Sequence, residues 1–336
     1  MKGVLLINLG SPEHKDINSV RSFLKEFLND KFVIHLPSFL RKFIVNLIII
    51  PFRSSKTLKA YSAIWTKKES PIITNSKEIG KKLQDLISLP VEVAMRYQKP
   101  TISKALKKLS QVGCKEITAI PLYPHYAMSS SLTTINRIKE LNIELEINLK
   151  INFVESFYND EGYIKALAEN IKKNIPETTD YLLFSYHGIP NKHLIKTDPT
   201  QNHCLRSSDC CQLDSEAKKY CYKAQVLETS RLCSSYLGLK NTEWGVSFQS
   251  RLWPGWIKPW TDVELERLPR SGKKKIAVVC PAFVADNLET LEEINIRGKA
   301  KFLNSGGESF TYIPCLNSEK FFLDCLEGLI SKKKES

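Results

Sequence analysis

Short apolar runs alternate with charged segments of helical period along the whole chain, and no other feature constrains the fold as much. Strand candidates are residues 4–9, 91–95, 117–122 and 149–154, then 181–185, 244–248, 276–280 and 310–313. Helical periodicity marks residues 18–27, 103–109, 164–175 and 215–237 between them. Strands that alternate with helices predict parallel sheets covered on both faces. The fold class is therefore α/β: two Rossmann-like domains, each a four-stranded parallel sheet flanked by helices. At 336 residues the chain also exceeds what one core comfortably serves. The reading assigns 1–148 to the first domain, 149–314 to the second and 315–336 to a helix packing back on the first, with the linker near 144–153. No convincing sequence repeat relates the halves.

Several function classes lose support. The first strand ends in Asn8-Leu9-Gly10-Ser11-Pro12, without the glycine fingerprint of dinucleotide sites. A net charge of +13 suits nucleic acid, an anionic membrane surface or an acidic small molecule. Much of that charge is scattered lysine and a Lys332-Lys333-Lys334 tail, and no nucleic-acid motif accompanies it. Nine cysteines without a secretory signal read as thiols or metal ligands of a cytosolic protein. No apolar run reaches the roughly 18 residues a membrane span needs. One stretch, residues 39–53, is apolar on nearly every side and flanked by basic residues. It suits a buried helix, an element lying in the membrane interface, or a greasy lip around an apolar substrate.

Chemistry gathers at strand ends, where open α/β sheets place their ligand-binding groups. His187, in Ser185-Tyr186-His187-Gly188-Ile189-Pro190, follows an apolar strand, and a neutral imidazole can accept protons at cellular pH. A histidine in such a turn can also do no more than satisfy local backbone groups. Asp286, Glu289 and Glu293 are spaced three and four apart, which places them on one helix face. They serve either as functional acids or as a solvated stripe at a helix start. Arg96 and Tyr97, Tyr123 with His125 and Tyr126, Ser129 to Ser131, and Trp253 with Trp256 close further strands. Aromatic, hydroxyl and basic groups of this kind suit a large, flat, apolar ligand bearing carboxylates. A cleft between two α/β domains is the default place for it.

In this order the motifs resemble the ferrochelatase family. The likeness runs from Leu5-Leu6-Ile7-Asn8-Leu9-Gly10-Ser11-Pro12 through Val20-Arg21, Ile64-Trp65, Met95-Arg96-Tyr97 and Pro121-Leu122-Tyr123-Pro124-His125-Tyr126. It continues through the His187 segment to Asp286-Asn287-Leu288-Glu289-Thr290-Leu291-Glu292-Glu293. There are departures: Tyr186 stands where the family has a small residue, and Thr197-Asp198-Pro199-Thr200 where it has Gly-Asp-Pro-Tyr. Asn287 replaces a histidine of many relatives.

The resemblance implies a lyase that inserts ferrous iron into protoporphyrin IX to give protohaem. His187 would be the general base for the pyrrole protons and, with Glu289, would meet the metal. Glu289 would face it across the ring, with Glu293 next in a proton relay. Arg96 and Ser129 would bind propionates, Tyr123 and Leu9 would line the substrate, and Trp256 would form the stacking wall. Iron would enter by the acidic face or by the face near Leu9. The apolar stretch becomes a lip over residues 36–53, placing the protein in the cytoplasm and peripherally on the inner face of the membrane. Some relatives carry an iron–sulfur cluster; here Cys204, Cys210, Cys211 and Cys221 would hold a two-iron two-sulfur cluster remote from the chemistry, with ordinary thiols as the alternative. Coproporphyrin or another metal as substrate, a non-catalytic porphyrin or haem carrier, and a homodimer stay open.

Overall fold

A computed structural model describes residues 1–252 and 254–332; Trp253 and Lys333-Lys334 of the basic tail lie outside the described residues. The chain forms two compact units. The first comprises Met1–Tyr123, Met128–Ser156 and the chain from Leu326 onward; the second comprises Pro124–Ala127 and Phe157–Cys325.

In the first unit, β1 (Lys2–Asn8), β2 (Val91–Met95), β3 (Glu116–Pro121) and β4 (Lys150–Phe153) form a parallel sheet in the order β2-β1-β3-β4. In the second, β5 (Tyr181–His187), β6 (Trp244–Gln249), β7 (Lys275–Val279) and β8 (Ser309–Tyr312) repeat that order as β6-β5-β7-β8. Val4, Leu5, Leu6 and Ile7 are all fully buried, as the continuous apolar run of a central parallel strand requires. One face of this sheet packs Leu5, Ile7 and Ala94 on Leu106 and Ile138. Beyond the strands, Val20, Phe23, Leu24 and Leu28 of the helix Ile17–Leu28 pack on Tyr97. The Asp16 carboxylate caps that helix by accepting from the Asn18 and Ser19 amides. The second core gathers Leu183, Val278, Phe302 and Phe310.

The structure corrects several sequence expectations. A boundary at 148/149 falls before β4, but β4 pairs with β3 and so belongs to the first unit. The expected helix 215–237 is a 3-10 turn, Glu216–Lys219, followed by a separate helix, Tyr222–Tyr236. The expected face of three acids is broken. Asp286 precedes the helix and is buried, accepting from the Tyr312 hydroxyl, from Asn317 Nδ2 at 2.8 Å and from Thr290 Oγ1 at 3.2 Å. Glu289 and Glu293 lie in a π-helical segment, Glu289–Gly298, a form common at functional sites.

The apolar stretch is neither buried throughout nor a span. Ser38–Phe43, π-helical Ile44–Ile49 and Ile50–Ile64 follow one another without interruption. Pro51 lacks the amide an α-helix would use there, which accounts for the widened turn before it. Val45 and Ile50 face the core, and Ile49 packs beside them. Phe39, Phe43, Leu47, Ile48 and Phe52 face outward, Phe39 and Phe52 being 78% and 83% exposed. Among the described residues no helix is long and apolar enough to cross a membrane.

Candidate active site

In an open parallel sheet, the strand order reverses beside the first strand, and ligands bind past the carboxyl ends there. In the second unit that point lies between β5 and β7, where β5 ends in His187 and β7 leads to Glu289. The peptide linking His187 to Gly188 is held from both sides. The Tyr222 hydroxyl donates to the His187 carbonyl at 2.9 Å, and the Gly188 amide donates to the Gln249 carbonyl at 2.8 Å. The Gly188 carbonyl in turn receives His187 Nδ1 at 2.6 Å. A carbonyl oxygen can only accept, so the neutral ring carries its proton on Nδ1 and its lone pair on Nε2. Position 188 must be glycine, because a Cβ there would stand 2.8 Å from the Gln249 carbonyl and 3.1 Å from the Trp256 ring.

The turn after His187 pairs with the segment around Trp256. The Asn191 amide donates to the Gly255 carbonyl and the Ile257 amide to the Ile189 carbonyl, at 2.9 and 3.1 Å. Trp256 is thereby fixed with its ring centre 6.2 Å from that of His187, and Phe283 stands at the same separation.

Gln249 ties His187 to the segment of Glu289. It pairs in register with His187, accepts from Ser185 Oγ at 2.7 Å, and donates to the Glu289 carbonyl at 3.4 Å. Beneath it Ser185 and Ser247 both bond Thr261 at 2.8 Å, a buried polar layer that rigidifies the strand ends. Glu293 is anchored by the Ser250 amide at 2.8 Å and its hydroxyl at 2.5 Å.

The first unit holds the remaining candidates near its own switch point. Leu9, half-buried, follows β1 and packs between two core clusters. Next to it Gly10 has φ +104°, and a Cβ would meet the Tyr97 carbonyl at 2.0 Å. Arg96 is not a free cation: its Nη2 meets Asp30 Oδ2 at 2.6 Å and its Nε donates to Thr133 Oγ1 at 3.0 Å. The same Asp30 oxygen accepts from the Tyr97 hydroxyl at 2.9 Å and from Thr133 Oγ1 at 2.5 Å. Asp30 was invisible to motif reading, since its partners are 66 to 103 residues away in sequence. Tyr123 is buried, and burial raises its phenol well above the ordinary value. Ser129 lies half-buried in a π-helical turn, Met128–Leu132.

His125 and Tyr186 are core groups of the second unit. His125 is buried edge-on to the rings of Tyr186 and Tyr222, and bonds Thr229 Oγ1 at 2.9 Å. Burial lowers its pKa to about 3. Tyr186 fills the space against it and bonds Ser230 Oγ at 2.7 Å, so the departure from a small residue is absorbed by packing.

The four cysteines converge. Asp198 organises their loop, accepting from the Thr200, His203 and Cys204 amides at 2.9, 2.8 and 2.9 Å and from Thr200 Oγ1 at 2.7 Å. Burial works to raise its carboxyl, but these donors hold it well below the usual range. Cys221 stands at the N-terminus of the helix Tyr222–Tyr236. A hydrogen bond from Cys211 chiefly, then the Ala224 amide, Cys204 and the Lys223 amide, lower its thiol to about 6 against the opposing effect of burial. The donor set is all sulfur, which suits an iron–sulfur cluster. Among the described residues, no three His, Cys, Asp or Glu side chains are arranged to hold a single metal ion. The group is also not remote from His187, because Tyr222, which reaches the His187 carbonyl, is the residue after Cys221.

A family model described as ferrochelatase matches residues 1–334. The chain belongs to the ferrochelatase family. Similar relatives include the ferrochelatase of Opitutus terrae, 44% identical over 98% of this chain and 96% of its own length. That of Pseudomonas fluorescens is 41% identical over 98% and 97%. As a ferrochelatase-family member the chain is an enzyme, a lyase that inserts iron into a porphyrin for haem synthesis. Among solved structures it is similar to SirB from Bacillus subtilis with Fe3+, at a TM-score of 0.58, 12% identity and coverage of 100% of this chain and 98% of that one. A sirohydrochlorin chelatase SirB in complex with cobalt gives 0.55, with 12% identity over 99% and 95%. At such identities the two share the chelatase fold, in agreement with the paired four-stranded sheets.

Proposed function

We propose that the protein inserts ferrous iron into protoporphyrin IX to form protohaem, with His187 as the base. One observation carries this reading: His187 Nδ1 is committed to the Gly188 carbonyl, which leaves Nε2 as an acceptor beside an aromatic wall. Metallation exchanges two pyrrole protons for one Fe2+, so a proton acceptor at the ring face is what the reaction needs. Binding energy distorts the macrocycle so that nitrogen lone pairs project from its plane. His187 takes the protons, a role worth about 100- to 10,000-fold. Glu289 receives them, and Glu293, anchored by Ser250, carries them outward. Hard and borderline ligands of this kind hold ferrous iron only transiently. Arg96, oriented by Asp30, and Ser129 bind the propionates, Trp256 stacks beside the ring, and Leu9 and Tyr123 line the substrate.

The outward apolar face of residues 38–64 supports peripheral docking on the cytoplasmic side of the membrane, with Lys42, Arg53 and Lys56 toward anionic headgroups. Cys204, Cys210, Cys211 and Cys221 would hold a two-iron two-sulfur cluster. When bound, that group would supply metal–thiolate bonds that close the Asp198 loop.

The test is anaerobic loss of porphyrin fluorescence on adding ferrous iron, run with protoporphyrin IX and with coproporphyrin. His187→Ala should abolish metallation while porphyrin binding stays measurable. Near-normal turnover in that variant, or faster metallation of coproporphyrin by the parent, would overturn the respective part of the reading.

A further inference from the structure

The backbone around His187 is pinned by a side chain that no motif flagged. We propose that Tyr222 is a positioning residue for His187: its hydroxyl, bonded to the His187 carbonyl, fixes the peptide whose next carbonyl selects the tautomer of the ring. The inference rests on the reading of His187 as the base and deepens it.

Three bonds act in series. Tyr222 Oη donates to the His187 carbonyl at 2.9 Å, the Gly188 amide donates to the Gln249 carbonyl at 2.8 Å, and Nδ1 donates to the Gly188 carbonyl at 2.6 Å. The first two hold the plane of one peptide from opposite edges. With that plane held, the Gly188 carbonyl has less freedom to turn from Nδ1. Without the Tyr222 bond the plane can rock about its remaining anchor. The imidazole then also samples the form with its proton on Nε2, which cannot accept from a pyrrole.

Tyr222 is suited to this task. It is 5% exposed at the first turn of the helix Tyr222–Tyr236, and its ring meets His125 edge-on at 5.9 Å. Because the ring is held by packing and the hydroxyl by the His187 carbonyl, Tyr222→Phe removes the bond and leaves the packing.

The full-length protein, labelled with 15N-histidine, reports the tautomer directly through long-range 15N–1H couplings, with His187→Gln assigning the signal. The parent should show His187 in the Nδ1–H form. Tyr222→Phe should show a mixture, with kcat for iron insertion down about tenfold, the size of one neutral hydrogen bond. The porphyrin KM should stay within about twofold, since no substrate contact is removed. An unchanged tautomer in Tyr222→Phe overturns the proposal, whatever happens to turnover. A shifted tautomer with unchanged kcat upholds Tyr222 as the positioning residue and instead removes His187 from the proton transfer. Those two failures are thus told apart.

Discussion

At the scale of single residues, burial and hydrogen bonding separate sealed ionisable groups from those that keep a free valence. His125 and His187 illustrate the difference: His125, past the end of β3, is sealed among Tyr186, Tyr222 and Thr229, while His187, the last residue of β5, has one ring nitrogen not engaged by the Gly188 carbonyl. With its pKa lowered from 6.5 to about 3, His125 is neutral in the folded protein while the unfolded chain takes up a proton. Stability is therefore complete above pH 6.5 and falls as pH drops toward 3, by about 1.4 kcal/mol per unit from this group. His125→Phe should flatten that slope between pH 6 and 4, as urea titrations at stepped pH would show. Among the acids, Glu289→Gln should cut turnover severely with little change in porphyrin affinity, because an amide cannot carry a proton onward. A changed affinity with retained turnover, measured by stopped-flow fluorescence, would make Glu289 a binding residue.

At the scale of elements, the helix 38–64 and the cysteine loop each carry a separate prediction. The helix keeps Val45, Ile49 and Ile50 on its packed side and Phe39, Leu47 and Phe52 on its open side. Phe39→Ser with Phe52→Ser should leave the unfolding midpoint nearly unchanged but weaken partition onto anionic vesicles. Each buried side chain of that size contributes about 1.5–3 kcal/mol, so sedimentation with vesicles should register the pair easily. Ile49→Asp should instead lower the unfolding midpoint, because that residue faces the core. For the loop, anaerobically purified protein should carry about two irons per chain and absorb in the visible, both lost in Cys210→Ser. Colourless, fully active protein without iron would make these cysteines ordinary thiols.

At the scale of the whole molecule, both units use one strand order, and each gathers its chemical groups past the strand ends where that order reverses. The helix Lys320–Lys332 closes the chain with Phe322, Leu326, Leu329 and Ile330 all buried. Losing four such side chains at about 1.5–3 kcal/mol each would remove most of a typical stability of about 5–15 kcal/mol. A chain ended before Lys320 should accordingly lose its cooperative unfolding transition by circular dichroism.

Much of this was legible in the sequence because it is local or periodic. Apolar runs marked the eight strands of the described residues to within two residues at each end, since burial on both faces demands such runs. The ordered motifs named the family, and His187 could be placed at a strand end, and Glu289 on the helix after a strand, from their neighbours alone. What tertiary structure decided were the relations between distant segments. Asp30 holding Arg96, Gln249 joining His187 to Glu289, and Tyr222 reaching the His187 carbonyl all span dozens of residues. Asp286 left the acidic face because Tyr312 and Asn317, supplied by β8 and the loop after it, claimed its carboxylate. The apolar helix exposed one side because Val45, Ile49 and Ile50 found a core to enter and Phe39, Leu47 and Phe52 did not. Periodicity tells which residues share a face, but only the packed neighbours determine whether that face is covered, paired or left open to a substrate.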